Sequence, residues 1–187
     1  MSFRIISGYL KNRQLVSPKG TQTRPTSGML RKALFDICRP YLEGAKVLDL
    51  FAGSGAVGFE AISQGASHVT FIEKDRLALD CIKKNIEILG IKDQCKLIAG
   101  DALLHIERLK DPFDIIYIDP PYSEGYLKKK KTILELIDEK MLLKQEGLLF
   151  IEEEASCTQD YETLEMKNLR FKDLRRFGKS ILYQFRF

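Results

Sequence analysis

Paired cysteines are missing from this sequence. Cys38, Cys81, Cys95 and Cys157 stand far apart and none forms a C-x-x-C pair. Neither a zinc site nor a disulfide framework is therefore expected. Isolated thiols of this kind suit a reducing compartment, so a cytoplasmic protein is expected. Histidine is scarce too: His68 and His105 sit in no triad or ligand pattern, and they read as structural, with no metal expected. No run approaches eighteen apolar residues, which argues against a helical membrane span. No apolar signal region opens the chain, because Arg4 interrupts it. Internal repeats and low-complexity linkers are absent as well.

What is present is enough for one domain with a small appendage. The chain has 187 residues, 44% of them hydrophobic, so it can bury a sizeable core. The net charge of +4 hides an uneven distribution. Residues 1–39 hold eight Lys or Arg against Asp36 alone, or +7, while the rest of the chain carries −3. A second basic cluster, Lys167, Arg170, Lys172, Arg175, Arg176 and Lys179, faces only Asp173. Together the two clusters suit a phosphate-bearing polymer, although solvated charge of no special function has the same composition.

Asp119-Pro120-Pro121-Tyr122 is the most informative short pattern. It follows the apolar run Phe113–Ile118, which reads as a buried strand. Two prolines end the strand and prevent an immediate helix. The result is a stiff turn at a strand's carboxyl end, where open α/β sheets bind ligands. An exocyclic amine is a poor nucleophile while its lone pair is delocalised into the ring. Asp119 can accept one of its N–H groups and the Pro120 carbonyl the other. Tyr122 can stack on the base. A plain Asx-type turn would use the same residues. Lys128–Lys131 follow closely and could steer a polyanion here, but four consecutive residues point all round a helix, so they read as an exposed helical turn.

A glycine-rich turn lies upstream, in Lys46-Val-Leu-Asp-Leu-Phe-Ala-Gly-Ser-Gly-Ala-Val-Gly58. Val47–Phe51 reads as a strand. Gly53, Gly55 and Gly58 turn into a helix to about Gln64, with Gly65 as its expected cap. Glu73 closes the next strand, about twenty residues after the glycines, where an acid suits a ribose diol. A dinucleotide-binding domain has the same spacing. Asp49 argues for S-adenosyl-L-methionine instead: an acid just before the glycines would repel a pyrophosphate and attract a cationic methionine end. Asp101 follows a third strand. It either accepts an adenine amino group, with the Ala102 N–H on a ring nitrogen, or caps the helix from Ala102 to Leu109; both uses are compatible.

The combination Asp49-Leu-Phe-Ala-Gly-Ser-Gly with Asp119-Pro-Pro-Tyr resembles class I S-adenosylmethionine-dependent amino methyltransferases. The N-terminal pieces Arg4-Ile-Ile-Ser-Gly8, Arg13-x-Leu-x-x-Pro18, Arg24-Pro-Thr26 and Arg31-x-Ala-Leu-Phe35 narrow this to a resemblance to the RsmD-type 16S rRNA guanine-N2 methyltransferases. Nearly the whole chain takes part. The resemblance implies methylation of a guanine amino group in small-subunit ribosomal RNA. Asp119, Pro120 and Tyr122 would hold the base. Asp49, Gly53, Gly55, Glu73, Asp101 and Ala102 would hold the cofactor, and Arg4, Arg13 and Arg24 the RNA. The chain departs from the family pattern at Gly28, Met29 and Lys32, where an acid, a base and a glutamate are usual.

The expected fold is α/β: a Rossmann-like, doubly wound, mostly parallel sheet with an antiparallel C-terminal edge hairpin and a small basic N-terminal extension. The extension is placed at 1–40 and the methyltransferase domain at 41–187. Strands are expected near 46–50, 69–73, 95–98, 113–118 and 147–153, and helices near 56–64, 75–89, 102–109 and 127–142. Phe3–Ser7 and Gln14–Val16 should pair around Gly8 and Asn12, Thr26 should cap a helix to Cys38, and 169–177 with 180–187 should close the sheet. Glu152-Glu153-Glu154 reads as an exposed strand end. The expected partner is ribosomal RNA within a small-subunit assembly intermediate, with the protein a monomer and no membrane involved. Three other readings fit parts of the pattern. An N6-adenine methyltransferase acting on DNA or RNA uses the same turn, but the DNA enzymes need a larger recognition segment. A protein glutamine methyltransferase carries Asn before Pro-Pro-Tyr. An RNA-binding module with a vestigial cofactor site would not need the intact acids.

Overall fold

The computed structural model describes residues 2–18, 28–121, 124–156 and 160–187, with backbone alone for residue 2 and for 124–131. Arg24, Thr26, Tyr122 and Cys157, and the side chains of Lys128–Lys131, lie outside the described residues.

The chain opens with two short antiparallel strands, β1 (Ser2–Arg4) and β2 (Gln14–Val16). Gly8 and Asn12 take the positive φ values of 83° and 67° that reverse the chain between them. Strand β1 ends at Arg4, earlier than the alternation suggests, because the Ile6 and Ser7 N–H groups donate to the Glu60 carboxylate instead of to a neighbouring strand. Helix α1 (Gly28–Cys38) follows, and Pro40 lies in the 3-10 turn that ends it.

The remaining elements alternate: β3 (Lys46–Leu50), α2 (Ala56–Ser63), β4 (His68–Glu73), α3 (Arg76–Leu89), β5 (Cys95–Ala99), α4 (Ala102–Ile106), β6 (Phe113–Ile118), α5 (Glu124–Glu139), β7 (Leu143–Glu154), β8 (Arg170–Phe177) and β9 (Ser180–Arg186). Seven of the strands form one sheet in the order β5-β4-β3-β6-β7-β9-β8. The first five in that order run parallel, and β9 pairs antiparallel with both β7 and β8. This is the expected doubly wound sheet. From β3 the chain winds outward through β4 and β5, then returns to the other side of β3 as β6. That reversal creates a switch point between β3 and β6.

Strand periodicity sorts the core into two layers. Val47, Ile115, Tyr117 and Phe150 meet α1, α2 and α3 on one face. Leu48, Leu50, Ile116, Ile118 and Ile151 meet α4 and α5 on the other. Ile5, Leu15, Leu30 and Leu34 enter the first layer, so the N-terminal residues share a core with the sheet. Among the described residues no helix is long and apolar enough to cross a membrane.

Some boundaries differ from the sequence reading, each for a local reason. Helix α2 is capped by Gln64, and Gly65 follows it. Helix α4 stops at Ile106 because Arg108 and Leu109 bond back only three residues, to His105 and Ile106. Helix α5 spans 124–139, displaced from 127–142, and Met141 beyond it turns left-handed at φ 51°. The largest correction concerns Glu152 and Glu153, expected at a solvated strand end. Both are buried, because β9 pairs along this end of β7. The Tyr117 hydroxyl donates to Glu152, and the Tyr161 hydroxyl donates to Glu153 at 2.5 Å. Burial pushes the Glu152 carboxyl above its ordinary range.

Candidate functional site

The expected site residues come from four strands that are neighbours in space. Asp101 follows β5, Glu73 ends β4, the turn 51–55 follows β3, and Asp119 follows β6, in the sheet order β5-β4-β3-β6. Three backbone bonds extend the ladder beyond the strand ends and fix this row. Gly100 donates to Glu73 O at 2.8 Å, Ala52 to Ile72 O at 3.2 Å and Asp119 to Leu50 O at 3.4 Å. Asp101, Glu73 and Asp119 therefore stand with the turn at the carboxyl edge, on the two sides of the switch point.

The turn after β3 is held from its acidic side. Gly53 N–H donates to Glu73 Oε2 at 2.7 Å. Gly55 N–H donates to Ala52 O at 2.7 Å, and Gly55 adopts φ 78° as the N-cap of α2, a conformation that costs other residues more. Gly58 N–H donates to Asp49 Oδ2 at 3.0 Å. A Cβ placed on Gly53 would meet nothing nearer than Phe51 O at 4.0 Å, so the space over this turn is open. Phe51 itself sits at φ 61°. This strained conformation turns the chain sharply out of the strand.

Asp49 is 2% exposed. Burial raises its carboxyl to about 8; the Gly58 N–H works against the rise and the nearby Glu73 charge adds to it. Glu73 Oε1 accepts from the N–H groups of Lys74 and Asp75, at 2.7 and 2.8 Å. With Gly53 on Oε2, an acceptor position remains on that oxygen for a hydroxyl. Asp101 caps α4 by accepting from Leu103 N–H at 3.0 Å, and Lys74 Nζ lies 3.9 Å from its other oxygen. The capping use is thus present, and one carboxylate oxygen points elsewhere. Ala102 is buried at the first turn of α4.

On the β6 side, Asp119 is half-buried, Pro120 buried and Pro121 exposed. Arg4 and Arg13 lie away from this row, on the N-terminal hairpin, and both are exposed. The Arg13 guanidinium donates to Ile88 O at 2.8 Å, so it also ties the hairpin to α3.

The Glu73 and Asp101 carboxylates, with the Asp49 carboxyl that a cation would ionise, fit a ligand that carries positive charge and hydroxyls, and disfavour a pyrophosphate. Sequence reasoning missed the polar residues behind this edge: Glu60, Asn85, Glu152 and Glu153. The signal for two of them was legible. Glu60 interrupts an otherwise apolar helix, and Asn85 falls on the stripe of Ala78, Ile82 and Leu89. A polar residue on a buried stripe requires a partner.

Fold and site together define a methyltransferase domain of the Rossmann-like kind. The chain belongs to the family described as Conserved hypothetical protein 95, the RsmD family, whose model matches residues 3–186. It is 36% identical to "Ribosomal RNA small subunit methyltransferase D" of Buchnera aphidicola, over 80% of this chain and 77% of that protein. To the protein of the same name from Escherichia coli K12 it is 33% identical, over 81% of this chain and 75% of that one. A solved hypothetical protein of Thermus thermophilus superposes with a TM-score of 0.81 at 27% identity, covering 99% of each chain.

Proposed function

We propose that this chain transfers a methyl group from S-adenosyl-L-methionine to the exocyclic N2 amino group of a guanine in small-subunit ribosomal RNA. It acts as a cytoplasmic monomer on an assembling small-subunit particle. The relatives named as small-subunit rRNA methyltransferases support the RNA substrate. The observation that carries the reading is the placement of Asp119 at the carboxyl end of β6, one strand from the turn 51–55 and across the switch point.

When bound, S-adenosylmethionine supplies an electrophilic methyl group on a sulfonium. Asp49, Gly53 and Gly55 receive its methionine end, Glu73 its ribose, and Asp101 with Ala102 its adenine. Asp119 accepts one hydrogen of the target amine and the Pro120 carbonyl accepts the other, which withholds the nitrogen lone pair from the ring. Tyr122 stacks on the base. Little acid–base power is needed before transfer, so positioning and charge alignment supply most of the rate. Residues 1–40, with Arg4, Arg13 and Arg24, hold the RNA backbone, and residues 41–187 carry the chemistry.

The test is nucleotide mapping by mass spectrometry after incubation of small ribosomal subunits with isotopically labelled S-adenosylmethionine. One N2-methylguanine in 16S rRNA is expected. Label on an adenine, on protein, or nowhere would overturn the assignment.

A further inference from the structure

Three buried polar side chains, Glu60, Ser63 and Asn85, take no part in the chemistry above, and all three face the N-terminal hairpin. Glu60 accepts from Ile6 and Ser7 N–H, at 2.9 and 2.8 Å. Ser63 Oγ accepts from Leu10 N–H at 3.0 Å, and its carbonyl accepts from Tyr9 N–H at 2.8 Å. Asn85 Oδ1 accepts from Val16 N–H at 2.9 Å, and Asn85 Nδ2 donates to Val16 O at 2.9 Å. Asn85 therefore pairs with the last residue of β2 as a further strand would.

Asn85 does one thing more. Its Nδ2 also donates, at a longer 3.4 Å, to the carbonyl of Ser54, the residue between Gly53 and Gly55. Asn85 is 0% exposed, so water cannot substitute for either partner. One side-chain amide thus spans from the hairpin to the turn that faces the crevice.

We infer that Asn85 is a positioning residue that makes docking of the N-terminal hairpin hold the glycine turn in its cofactor-receiving shape. The inference rests on the cofactor site and RNA-binding hairpin proposed above, and adds a link between them. A ligand that steadies the hairpin steadies the turn, and one that steadies the turn steadies the hairpin. RNA and cofactor then strengthen each other's binding by the same factor, as linkage requires.

The decisive variant is Val16→Pro. Residue 16 is not among the cofactor residues, and its single N–H is used on Asn85, so proline there removes one of the two bonds of the clamp, leaves that from Asn85 Nδ2 to the residue 16 carbonyl, and removes no ladder bond. In calorimetric titration without RNA, Val16→Pro and Asn85→Ala should each weaken S-adenosylmethionine binding by about threefold or more, roughly half a decade in Kd. The double variant should be no weaker than Asn85→Ala alone. In the unmodified chain, saturating cofactor should slow hydrogen exchange at the amides of Ile6, Leu10 and Val16. A folded Val16→Pro protein with unchanged affinity would overturn the inference, as would hairpin amides indifferent to cofactor. The exchange measurement decides if either variant fails to fold. Absence of binding heat in the unmodified chain would instead remove the cofactor site itself, and the inference with it.

Discussion

Gly58 lies so close to Phe71 that a Cβ built on it would sit 2.2 Å from the ring, and 2.8 Å from Val69 Cγ1. Helix α2 can approach β4 this closely only because residue 58 has no side chain. The approach also brings the Gly58 N–H to the Asp49 carboxylate. Alanine would gain up to about 1 kcal/mol of helix propensity, but overpacking a core costs about 1–3 kcal/mol. Gly58→Ala should therefore lower stability in denaturant melts. An unchanged or raised midpoint would show that α2 can shift outward freely.

Asp119→Ala should lose nearly all turnover while binding S-adenosylmethionine as the unmodified chain does. Single-turnover kinetics with calorimetry separates the two. Activity above about a tenth of the original, a loss under about 1.4 kcal/mol, would remove Asp119 from the methyl-transfer step.

Asp49 gives two pH signatures. In the cofactor-free protein its carboxyl is raised to about 8 from 3.8, so the folded state holds a proton that the unfolded state releases. That contribution to stability is complete below about pH 4 and is lost as pH rises towards 8. Asp49→Asn should flatten this part of the stability profile. A cationic ligand favours the ionised form, so binding near pH 7 should release a proton, and the release should vanish well above pH 8. Titrations in buffers of different ionisation enthalpy measure it. Proton uptake, or release unchanged in Asp49→Asn, would contradict the role.

Arg13→Ala and Arg24→Ala should each weaken RNA binding and make its salt dependence shallower, by about 0.7–0.9 in log–log slope per lost phosphate contact. Loss of the Arg13 bond to Ile88 O should cost a little stability in addition. If both slopes match the unmodified chain, the N-terminal segment is not the RNA surface.

Tyr117→Phe should cost about 1 kcal/mol, because it takes one hydroxyl donor from the buried Glu152 carboxyl and leaves that of Ser180. Glu152→Gln keeps an acceptor for that hydroxyl and should be far better tolerated. Equal losses in the two variants would mean that the pair contributes through packing alone.

The sequence by itself determined the α/β alternation and the four acids that mark the crevice. Those features are local: apolar runs of five or six residues, glycines in a turn and prolines after an acid constrain the backbone wherever the chain goes. Asp49, Glu73, Asp101 and Asp119 could be picked out because each lies near or just beyond the carboxyl end of a strand that is readable on its own. Only the tertiary structure decided where polar groups from distant segments are buried together. Glu60, Ser63 and Asn85 meet the hairpin across 53 to 69 residues of chain. Glu152 and Glu153 look like surface residues until β9 covers their strand. Burial of a charged or amide side chain depends on whether a donor or acceptor arrives from elsewhere to replace water, and no local pattern records that arrival.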